Sequence, residues 1–487
     1  MMEGGLDEAE AWLTAGRVGE ALMAAEIGLA QRPGDPALGA LRERALAAIG
    51  AMDQAFAALQ LGAAVNAEQP AAHLELGHAY AEREQWADAE RCFRWAAALD
   101  PRSAEAHASL GFVYLQAGMA EAAERHSRAA LALDEAHVVA SQTLASLLEA
   151  RGETAAAQAQ LGRAYGRQAL FEQAVRDPVL RVLVLATATS GNVPYRTIMP
   201  PARYSRLVWY MEHARPEEEP DPDRYDVVFN TIGDADLAEP SLAAVERFVT
   251  RCRKPVLNRP DRVMRTRRDR TAALLGGLEG VVVPRTVRVS GEAAARSGLR
   301  ALAEAHGFRA PLLARPAGLH GGQGLVRAET LDDLEGPPPA AGDHYLIDYV
   351  DYRSADGLYR KYRMLFVGGE PFAYHQAISD HWLVHHDTAG MVDHPQRRAE
   401  EARFLSEPGA IIGRAGVDAI ARIGLALELE YCGVDFSVLA DGRVLVFEAN
   451  ATMLAHREDP AGLYAYKNPY VDAIAGAFQA LLRARAG

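Results

Sequence analysis

The chain has 487 residues, which is too many for one hydrophobic core and indicates about three folding units. Its composition, 49% hydrophobic and 24% charged, is typical of soluble globular proteins. The 65 Asp and Glu residues outnumber the 51 Lys and Arg residues, and the formal charge of -14 argues against nucleic acid or an anionic membrane surface as the main partner.

The three cysteines are far apart and show no CxxC spacing, which argues against a disulfide scaffold or a cysteine zinc site. The acidic start of the chain is unlike a secretory or mitochondrial leader. No apolar run approaches the roughly 20 residues that a membrane helix needs. We therefore expect a cytoplasmic protein of several domains.

Residues 1–174 are rich in Ala, Leu and Glu and repeat with a period of about 34 residues. The matching positions include Leu76 and Leu110, Gly77 and Gly111, Tyr80 and Tyr114, and Asp100 and Asp134. A helical hairpin of this length resembles the tetratricopeptide repeat, which implies about five hairpins stacked as a solenoid.

The concave face of such a solenoid usually holds a peptide or a partner protein. The candidate contacts are polar residues on the first helix of each unit: His73, His107 and Gln142. Solvated surface residues are the alternative for each of them. The repeats themselves have two alternative uses, a homodimer contact or docking to an unrelated partner.

After residue 174 the sequence changes to short β-branched runs separated by small residues. Arg181–Leu185 and Asp226–Asn230 are predicted to be buried parallel strands. Strands at this spacing predict an α/β subdomain over residues 177–262.

A strong hairpin signal follows further along the chain, where Asp441 and Gly442 lie between two β-branched runs. A two-residue turn there would pair apolar positions on one face: Val434 with Ala449, Phe436 with Phe447, and Val438 with Leu445. We therefore predict one continuous apolar face on this hairpin.

The same register places Asp435 directly opposite Glu448, with Asn450 on their face. Two facing carboxylates repel each other, and a divalent cation removes that repulsion. Two carboxylates and an amide oxygen are ligands that Mg²⁺ takes alongside nucleotide phosphates. The hairpin therefore predicts a magnesium site at Asp435, Glu448 and Asn450.

The order Asp435, hairpin, Glu448-Ala449-Asn450 resembles the metal motif of the ATP-grasp enzymes, which share a glutathione-synthetase-like ATP-binding fold. The resemblance covers about residues 180–485. Four further pieces are similar to that family, namely Val256–Pro284, Leu313–Gly324, Tyr345–Val350 and Arg360–Glu370. In order, they resemble the start of the ATP-binding subdomain, the glycine-rich loop over the phosphates, the hinge strand that holds adenine, and the segment with an arginine near the transferred phosphoryl group.

The resemblance implies a multidomain protein, an all-α helical-hairpin solenoid over residues 1–174 followed by an α+β ATP-grasp fold. It divides the latter into an N-terminal α/β subdomain (177–262), an ATP-binding lid (263–344) and a C-terminal subdomain with the metal site (345–487). It also implies ATP and Mg²⁺ as cofactors.

The family resemblance further implies a role for several cationic residues. Arg270 and Arg315, where the family usually has lysine, would hold the α- and β-phosphates, and Arg363 would hold the γ-phosphate and then an acyl phosphate. The glycines expected over the phosphates are Gly321, Gly322 and Gly324. The residues whose backbone would hold adenine are Asp348, Tyr349 and Val350.

A group of histidines lies between residues 375 and 394, after the predicted phosphoryl arginine. Its spacing matches no fixed zinc motif such as HExxH, although a zinc site stays an alternative. We expect His375, His381 and His385 to line a substrate wall, with ordinary packing and surface roles as the other alternative.

The resemblance implies an ATP-dependent ligase that activates a carboxylate and joins it to an amine or another nucleophile, which a small molecule could supply. We expect a peptide or carrier-protein substrate, held by the repeats. Two other classes remain open. One is a catalytically weak nucleotide-binding scaffold, and the other is a phosphotransferase acting on protein side chains.

Overall fold

The computed structural model describes residues 62–487 except 83–84, 176, 202, 320, 339–341, 386–388 and 459–461, and it describes isolated residues before 62. The chain divides into two compact units. The first comprises Met1–Phe171 with His213–Glu218, and the second comprises Glu172–Glu212 with Glu219–Gly487. The hairpins predicted before residue 62 fall largely outside the described residues.

The first unit is built from helical hairpins. Its helices include α1 (Pro70–Glu82), α2 (Trp86–Leu99), α3 (Ala104–Gln116), α4 (Ala120–Leu133), α5 (Val138–Ala150) and α6 (Thr154–Tyr165). Small residues recur where these helices cross, because larger ones would collide. A Cβ atom on Gly77 would lie 2.5 Å from the Phe93 ring, and one on Gly111 would lie 2.5 Å from Ser127 Oγ.

The second unit contains three sheets. Strand β1 (Leu170–Gln173) begins two residues before the bound of this unit. The other strands are β2 (Leu180–Ala186), β3 (Tyr204–Tyr210), β4 (Val227–Asn230), β5 (Val256–Leu257), β6 (Val281–Val282), β7 (Thr286–Val289), β8 (Leu312–Pro316), β9 (Val326–Ala328), β10 (His344–Asp348), β11 (Tyr359–Val367), β12 (Glu370–Ser379), β13 (Tyr431–Val438) and β14 (Val444–Asn450). Its helices include α7 (Tyr195–Ile198), α8 (Glu239–Arg251), α9 (Pro260–Val263), α10 (Arg268–Leu275), α11 (Gly291–Ala305), α12 (Pro395–Ser406), α13 (Pro408–Leu427) and α14 (Asn468–Ala486).

The first sheet has the strand order β1-β3-β2-β4-β5, and β2 pairs in parallel with β3 and β4. Strands β2 and β4 coincide with the two strands predicted from the sequence. All four residues of β4 are buried, which explains why it reads as a continuous apolar run rather than an alternating one.

The second sheet has the order β7-β10-β8-β9 and is antiparallel throughout. Helix α11 covers it and contributes Leu299 and Ala303 to a core shared with Leu346. Strand β10 begins at the boundary predicted at residue 344 and pairs with both β7 and β8.

The third sheet has the order β12-β11-β13-β14-β6, with β6 parallel to β14 and the other pairs antiparallel. Strand β6 lies within the range predicted for the lid, yet it belongs to this sheet. Helices α13 and α14 pack Ile420, Ile423 and Phe478 into its core. The second unit is therefore an α/β region with mixed sheets.

Strands β13 and β14 form the predicted hairpin, although its tip differs from the prediction. The turn holds three residues rather than two, since Leu439 N donates to Arg443 O over 2.9 Å and Gly442 takes the left-handed φ of 84°. Near the tip the register is therefore shifted by one, with Phe436 opposite Val446 and Val438 opposite Val444.

The additional residue Phe447 cancels that shift. The register changes between Asp435 and Phe436, so that Asp435 lies opposite Glu448 and Val434 opposite Ala449, as predicted. A β-bulge of this kind places two residues of one strand against one of the other. The facing carboxylates and an apolar face are thus observed, but toward the tip the apolar partners are Val446 and Val444 rather than the predicted Phe447 and Leu445.

A buried asparagine joins the first and third sheets. Asn258 has a left-handed φ of 52° and is fully buried. Its side chain donates to Tyr431 O over 2.8 Å and accepts from Tyr431 N over 3.0 Å, while its carbonyl accepts from Asn230 Nδ2 over 2.8 Å. The start of β13, and with it the strand bearing Asp435, is held by these bonds.

No helix in the described part of the chain combines the length and apolar character needed to cross a membrane.

Candidate functional site

A cavity of about 440 Å³ lies between the second and third sheets of the second unit. Apolar side chains form part of its wall: Val283, Leu313, Ile347 and Leu445. Charged side chains form another part: Arg268, Arg315, Asp348, Lys361, Arg363, Asp435 and Glu448. This combination of apolar and convergent polar groups is typical of a ligand site.

Asp435 occupies the centre of one ion-pair cluster and is 3% exposed. Arg363 Nε and Nη2 donate to its two oxygens over 2.6 and 3.0 Å, and Lys361 Nζ lies 2.9 Å from Oδ2. Burial alone raises the pKa of the Asp435 carboxyl, but the charges of Arg363 and Lys361 outweigh it and hold that pKa well below its ordinary value. Asp435 is therefore ionised.

Glu448 lies at the centre of a second cluster. Arg268 Nη2 donates to its Oε2 and Asn450 Nδ2 donates to its Oε1, while Arg268 Nη1 donates to Phe447 O over 3.2 Å. The Arg268 side chain is 13% exposed. Burial lowers the pKa of the Arg268 guanidinium, but Glu448 raises it above its ordinary value, so this cation is matched by a counter-charge.

Arg315 is a buried cation of a different kind. Its side chain lines the cavity, the residue is 7% exposed, and Nη2 donates to Leu319 O. Among the described residues its Nε has no hydrogen-bond partner. Burial, followed by the charge of Arg268, lowers the pKa of Arg315 to about 10. A buried donor without a partner is destabilising unless a ligand accepts its hydrogen bond.

The charged lining carries an excess of positive charge. Four cationic side chains and three carboxylates line the cavity, and one of those carboxylates, Asp348, is gripped by Arg285 over 3.0 and 3.1 Å. With Asp348 matched by Arg285, four cations remain against Asp435 and Glu448. The cavity therefore suits a polyanion.

Arg270 does not line this cavity, contrary to the prediction. It is exposed, and its Nη1 lies 3.5 Å from Met264 O. Helix α10 begins at Arg268, and a residue two positions later lies about 200° further around an α-helix. The arginine that reaches the cavity from this helix is therefore Arg268, which the sequence reasoning did not single out.

The glycine-rich loop has the backbone that its composition predicts. Gly321, Gly322 and Gly324 have positive φ angles of 63°, 79° and 66°. A Cβ atom on Gly321 would lie 3.3 Å from His385 Nε2, and one on Gly322 would lie 3.3 Å from Leu383 Cδ1. The first two glycines thus allow the loop to approach the facing segment, and both line the cavity.

The residues after β10 also line the cavity. Tyr349 packs under the Arg327 guanidinium at 4.0 Å and against the edge of Trp382 at 6.2 Å. Within the described chain, the amide groups of Tyr349 and Val350 donate no backbone hydrogen bond. The Asp348 side chain binds Arg285 instead, so its carboxylate is not free for a ligand.

The structure does not bring the three predicted histidines together. His385 lines the cavity, whereas His381 is exposed and accepts from Leu383 N over 3.2 Å. His375 is buried beside Glu401, to which its Nδ1 is hydrogen-bonded. Tyr466 donates to the same carboxylate over 2.5 Å. His375 therefore belongs to a buried packing network rather than to the cavity wall.

The zinc alternative gains no support. Across the described residues, no group of three or more His, Cys, Asp and Glu side chains is placed to hold a metal ion. His386, a further member of the histidine group, lies outside the described residues.

The candidate peptide contacts of the first unit are engaged in its own packing. His73 Nε2 lies 2.9 Å from Ala67 O, and His107 Nε2 lies 3.2 Å from Pro101 O. Gln142 donates to the Tyr165 hydroxyl over 2.5 Å. The two histidines thus fasten the same junction in successive repeats, which explains their periodicity without a ligand.

Comparison with known proteins gives one family match and several similar solved structures. A family model described as a TPR repeat matches residues 77–118. Similar solved structures include MamA, 20% identical, covering 33% of this chain and 94% of that chain with a TM-score of 0.23. Another is a thermophilic TPR protein of Thermus thermophilus, which is 23% identical. The match covers 34% of this chain and 92% of that chain, with a TM-score of 0.22.

The D-cycloserine synthetase DcsG is 16% identical and covers 63% of this chain and 100% of its own, with a TM-score of 0.36. No curated protein matches the chain. None of these likenesses assigns a substrate to the cavity. The chain consists of a tetratricopeptide-repeat region and a separate α/β region with mixed sheets.

Proposed function

We propose that the second unit is an ATP-grasp ligase, which uses ATP to activate a carboxylate as an acyl phosphate and joins it to an amine or another nucleophile. One observation carries this proposal. A cavity with excess buried positive charge contains two carboxylates that face each other across a hairpin. A nucleotide triphosphate with bound divalent metal provides both the anionic and the cationic groups that this arrangement can match.

The residues present fit a nucleotide. Arg315 offers a buried guanidinium with an Nε donor that lacks a partner among the described residues. Bidentate grip on phosphate is the chemistry in which arginine exceeds lysine. Val283, Leu313 and Leu445 offer apolar walls for a base, and the amides of Tyr349 and Val350 offer donors for its edge.

The residues also fit a divalent metal. Asp435, Glu448 and Asn450 would supply hard oxygen ligands for Mg²⁺ from one face of the third sheet. When bound, the metal would neutralise charge that develops on the phosphate oxygens. The cations that now pair with the two carboxylates, Arg268, Lys361 and Arg363, would then be available to phosphate.

The chain's own groups have assignable tasks in the reaction. A substrate carboxylate oxygen attacks the terminal phosphorus of ATP, the bond to the bridging oxygen breaks, and ADP leaves. A nucleophile then attacks the acyl carbon, the carbon–oxygen bond breaks, and inorganic phosphate leaves. Arg363 stabilises the transferred group by charge and position. The loop at Gly321 and Gly322, against Leu383, excludes water from the reactive intermediate.

The repeat region supports a macromolecular substrate. Tetratricopeptide repeats generally bind proteins or peptides. We propose that one reactant is a peptide or is carried on a protein that the first unit binds, since binding raises the local concentration of a weakly held reactive end.

The direct test is release of ADP and phosphate from ATP with panels of carboxylates, amines and peptides, compared between the wild type and Asp435→Asn. Arg443→Gln, an exposed change on the same hairpin, is the control. Ligation predicts product and ADP in equal amounts from the wild type and the control but not from Asp435→Asn. A stable phosphoprotein instead would indicate a side-chain phosphotransferase, and nucleotide binding without turnover would indicate a scaffold.

A further inference from the structure

Both carboxylates of the proposed metal site are already paired with cations. Glu448 is paired with Arg268, and Asp435 is paired with Arg363 and Lys361. Asp435 is 3% exposed and the Arg268 side chain 13%, so water screens these pairs little.

We propose that metal and nucleotide load together by exchange of counter-ions. This inference rests on the proposed nucleotide function. Glu448 and Asp435 would leave their cations to hold the divalent metal, and the released cations would bind the nucleotide phosphates. Neither ligand alone completes the exchange.

The exchange follows from the electrostatics of the pairs. A metal ion arriving alone would take Glu448 from the largely buried Arg268 guanidinium, whose charge also acts on the neighbouring buried cation Arg315. Breaking a buried ion pair on one side is strongly unfavourable. A nucleotide arriving alone would find Arg315 available but Arg268 held by Glu448. Each ligand therefore removes the obstacle to the other.

Such coupling is reciprocal. If nucleotide raises the affinity for metal by some factor, metal must raise the affinity for nucleotide by the same factor. We expect a factor of about 50, within the usual range for coupled sites.

Calorimetric titration of the full chain tests the exchange with two probes, Mn²⁺ and the non-hydrolysable ATP analogue adenylyl imidodiphosphate. Each is titrated alone and in the presence of the other. We expect weak binding of Mn²⁺ alone, and about 50-fold tighter binding of each probe when the other is present.

Arg268→Gln gives the sharpest test, because the exchange predicts a higher affinity for metal and a lower affinity for nucleotide in the same variant. The variant removes the cation paired with Glu448, so Mn²⁺ alone should bind at least about fivefold more tightly, while the nucleotide analogue in the presence of Mn²⁺ should bind at least about tenfold more weakly. Glu448→Gln, the second variant, releases Arg268 and should strengthen metal-free nucleotide binding while removing most of the coupling. Arg443→Gln is the control and should match the wild type.

Two results would overturn the exchange. One is Mn²⁺ binding to the wild type with equal affinity with and without the analogue. The other is an Arg268→Gln or Glu448→Gln protein that is folded by circular dichroism and binds both probes more weakly when each is titrated alone. If the wild type binds no nucleotide under any condition, the proposed function itself fails. If nucleotide binds with an affinity that does not depend on metal, only the exchange is contradicted and the proposed function stands.

Discussion

The repeat region and the cavity region differ in how sequence distance relates to position in space. In the repeat region, equivalent residues perform equivalent tasks. Asp100 and Asp134 both accept a hydrogen bond from the amide two positions later, from Arg102 and Ala136. Helical hairpins are made by local contacts, so a period in sequence becomes a period in structure.

The cavity region follows no such rule. Arg268 reaches Glu448 across 180 positions, and Arg363 reaches Asp435 across 72. Similar residues close in sequence have unrelated surroundings, as the buried His375 and the exposed His381 show. Chemistry built by strand pairing depends on register, where one residue of shift moves a side chain to the other face.

The largest effect is expected at Asp435, because strand pairing brings this carboxylate to two cations. Asp435→Ala should abolish ATP turnover and also leave the partly buried Arg363 and Lys361 without their carboxylate partner. Removing one partner of a buried pair typically destabilises a protein by about 3–5 kcal/mol. ADP release and urea unfolding measure the two losses. An active Asp435→Ala protein would contradict the assignment of this residue.

Replacing Arg315 should stabilise the fold while it weakens nucleotide binding. Its pKa is lowered to about 10, so the unfolded chain holds this proton more tightly, and charged Arg315 destabilises the fold at neutral pH. Arg315→Met should therefore unfold at a slightly higher denaturant concentration. Its free energy of unfolding should be larger by about 1 kcal/mol. It should weaken nucleotide binding about 100-fold, corresponding to loss of a charged hydrogen-bonding partner.

Arg315→Lys separates charge from geometry at the same position. Lysine retains the charge and loses the fork, so this variant should keep measurable nucleotide binding and activity. Equal loss of nucleotide affinity in Arg315→Lys and Arg315→Met would mean that charge is not what the position supplies.

Within the repeats, glycine substitutions should separate periodic from non-periodic positions. Gly111→Ala places a Cβ atom 2.5 Å from Ser127 Oγ and 3.2 Å from its amide nitrogen, so it should destabilise α3 and α4 by about 1–3 kcal/mol. Gly162→Ala, also helical but with open space, should stabilise α6 by about 0.5–1 kcal/mol. Native-state hydrogen exchange reports both locally. The same sign at both positions would contradict the packing account.

The smallest effect concerns Glu105 in α3, which contacts His78 of α1 and His137, the residue before α5. Hydrogen bonds with His137 and then His78 lower the pKa of its carboxyl. A carboxyl with a lowered folded pKa stabilises the fold above its unfolded pKa, about 4.3, and this contribution is lost as the pH falls below that value. Glu105→Gln should cost about 0.5 kcal/mol at pH 6 and less at pH 3.5. Hydrogen exchange in α3 at the two pH values measures it.

Much of the architecture was predictable because its signals are local. The 34-residue period marked the repeats, and β-branched runs marked β2 and β4. The pairing of Asp435 with Glu448 was predicted correctly although two assumptions behind it were wrong. The three-residue turn and the extra Phe447 shift the register in opposite directions, and their effects cancel at the carboxylates.

The features that the sequence did not reveal depend on the directions in which side chains point. Arg270 was chosen by family pattern, but α10 begins at Arg268 and aims that residue into the cavity. Lys361 was also missed, although strand alternation places it on the same face as Arg363. No sequence signal indicated that Asp348 would be bound by Arg285 or that Glu401 would hold His375.

The claim that the cavity is a nucleotide site is tested most directly by comparing the nucleotide affinities of Arg268→Gln and Arg270→Gln. Adenylyl imidodiphosphate with Mg²⁺ is titrated into each full-length variant and into the wild type by calorimetry. The cavity geometry predicts at least about a tenfold loss for Arg268→Gln and less than about a twofold change for Arg270→Gln. No binding to the wild type, or an equal loss in both variants, would contradict it.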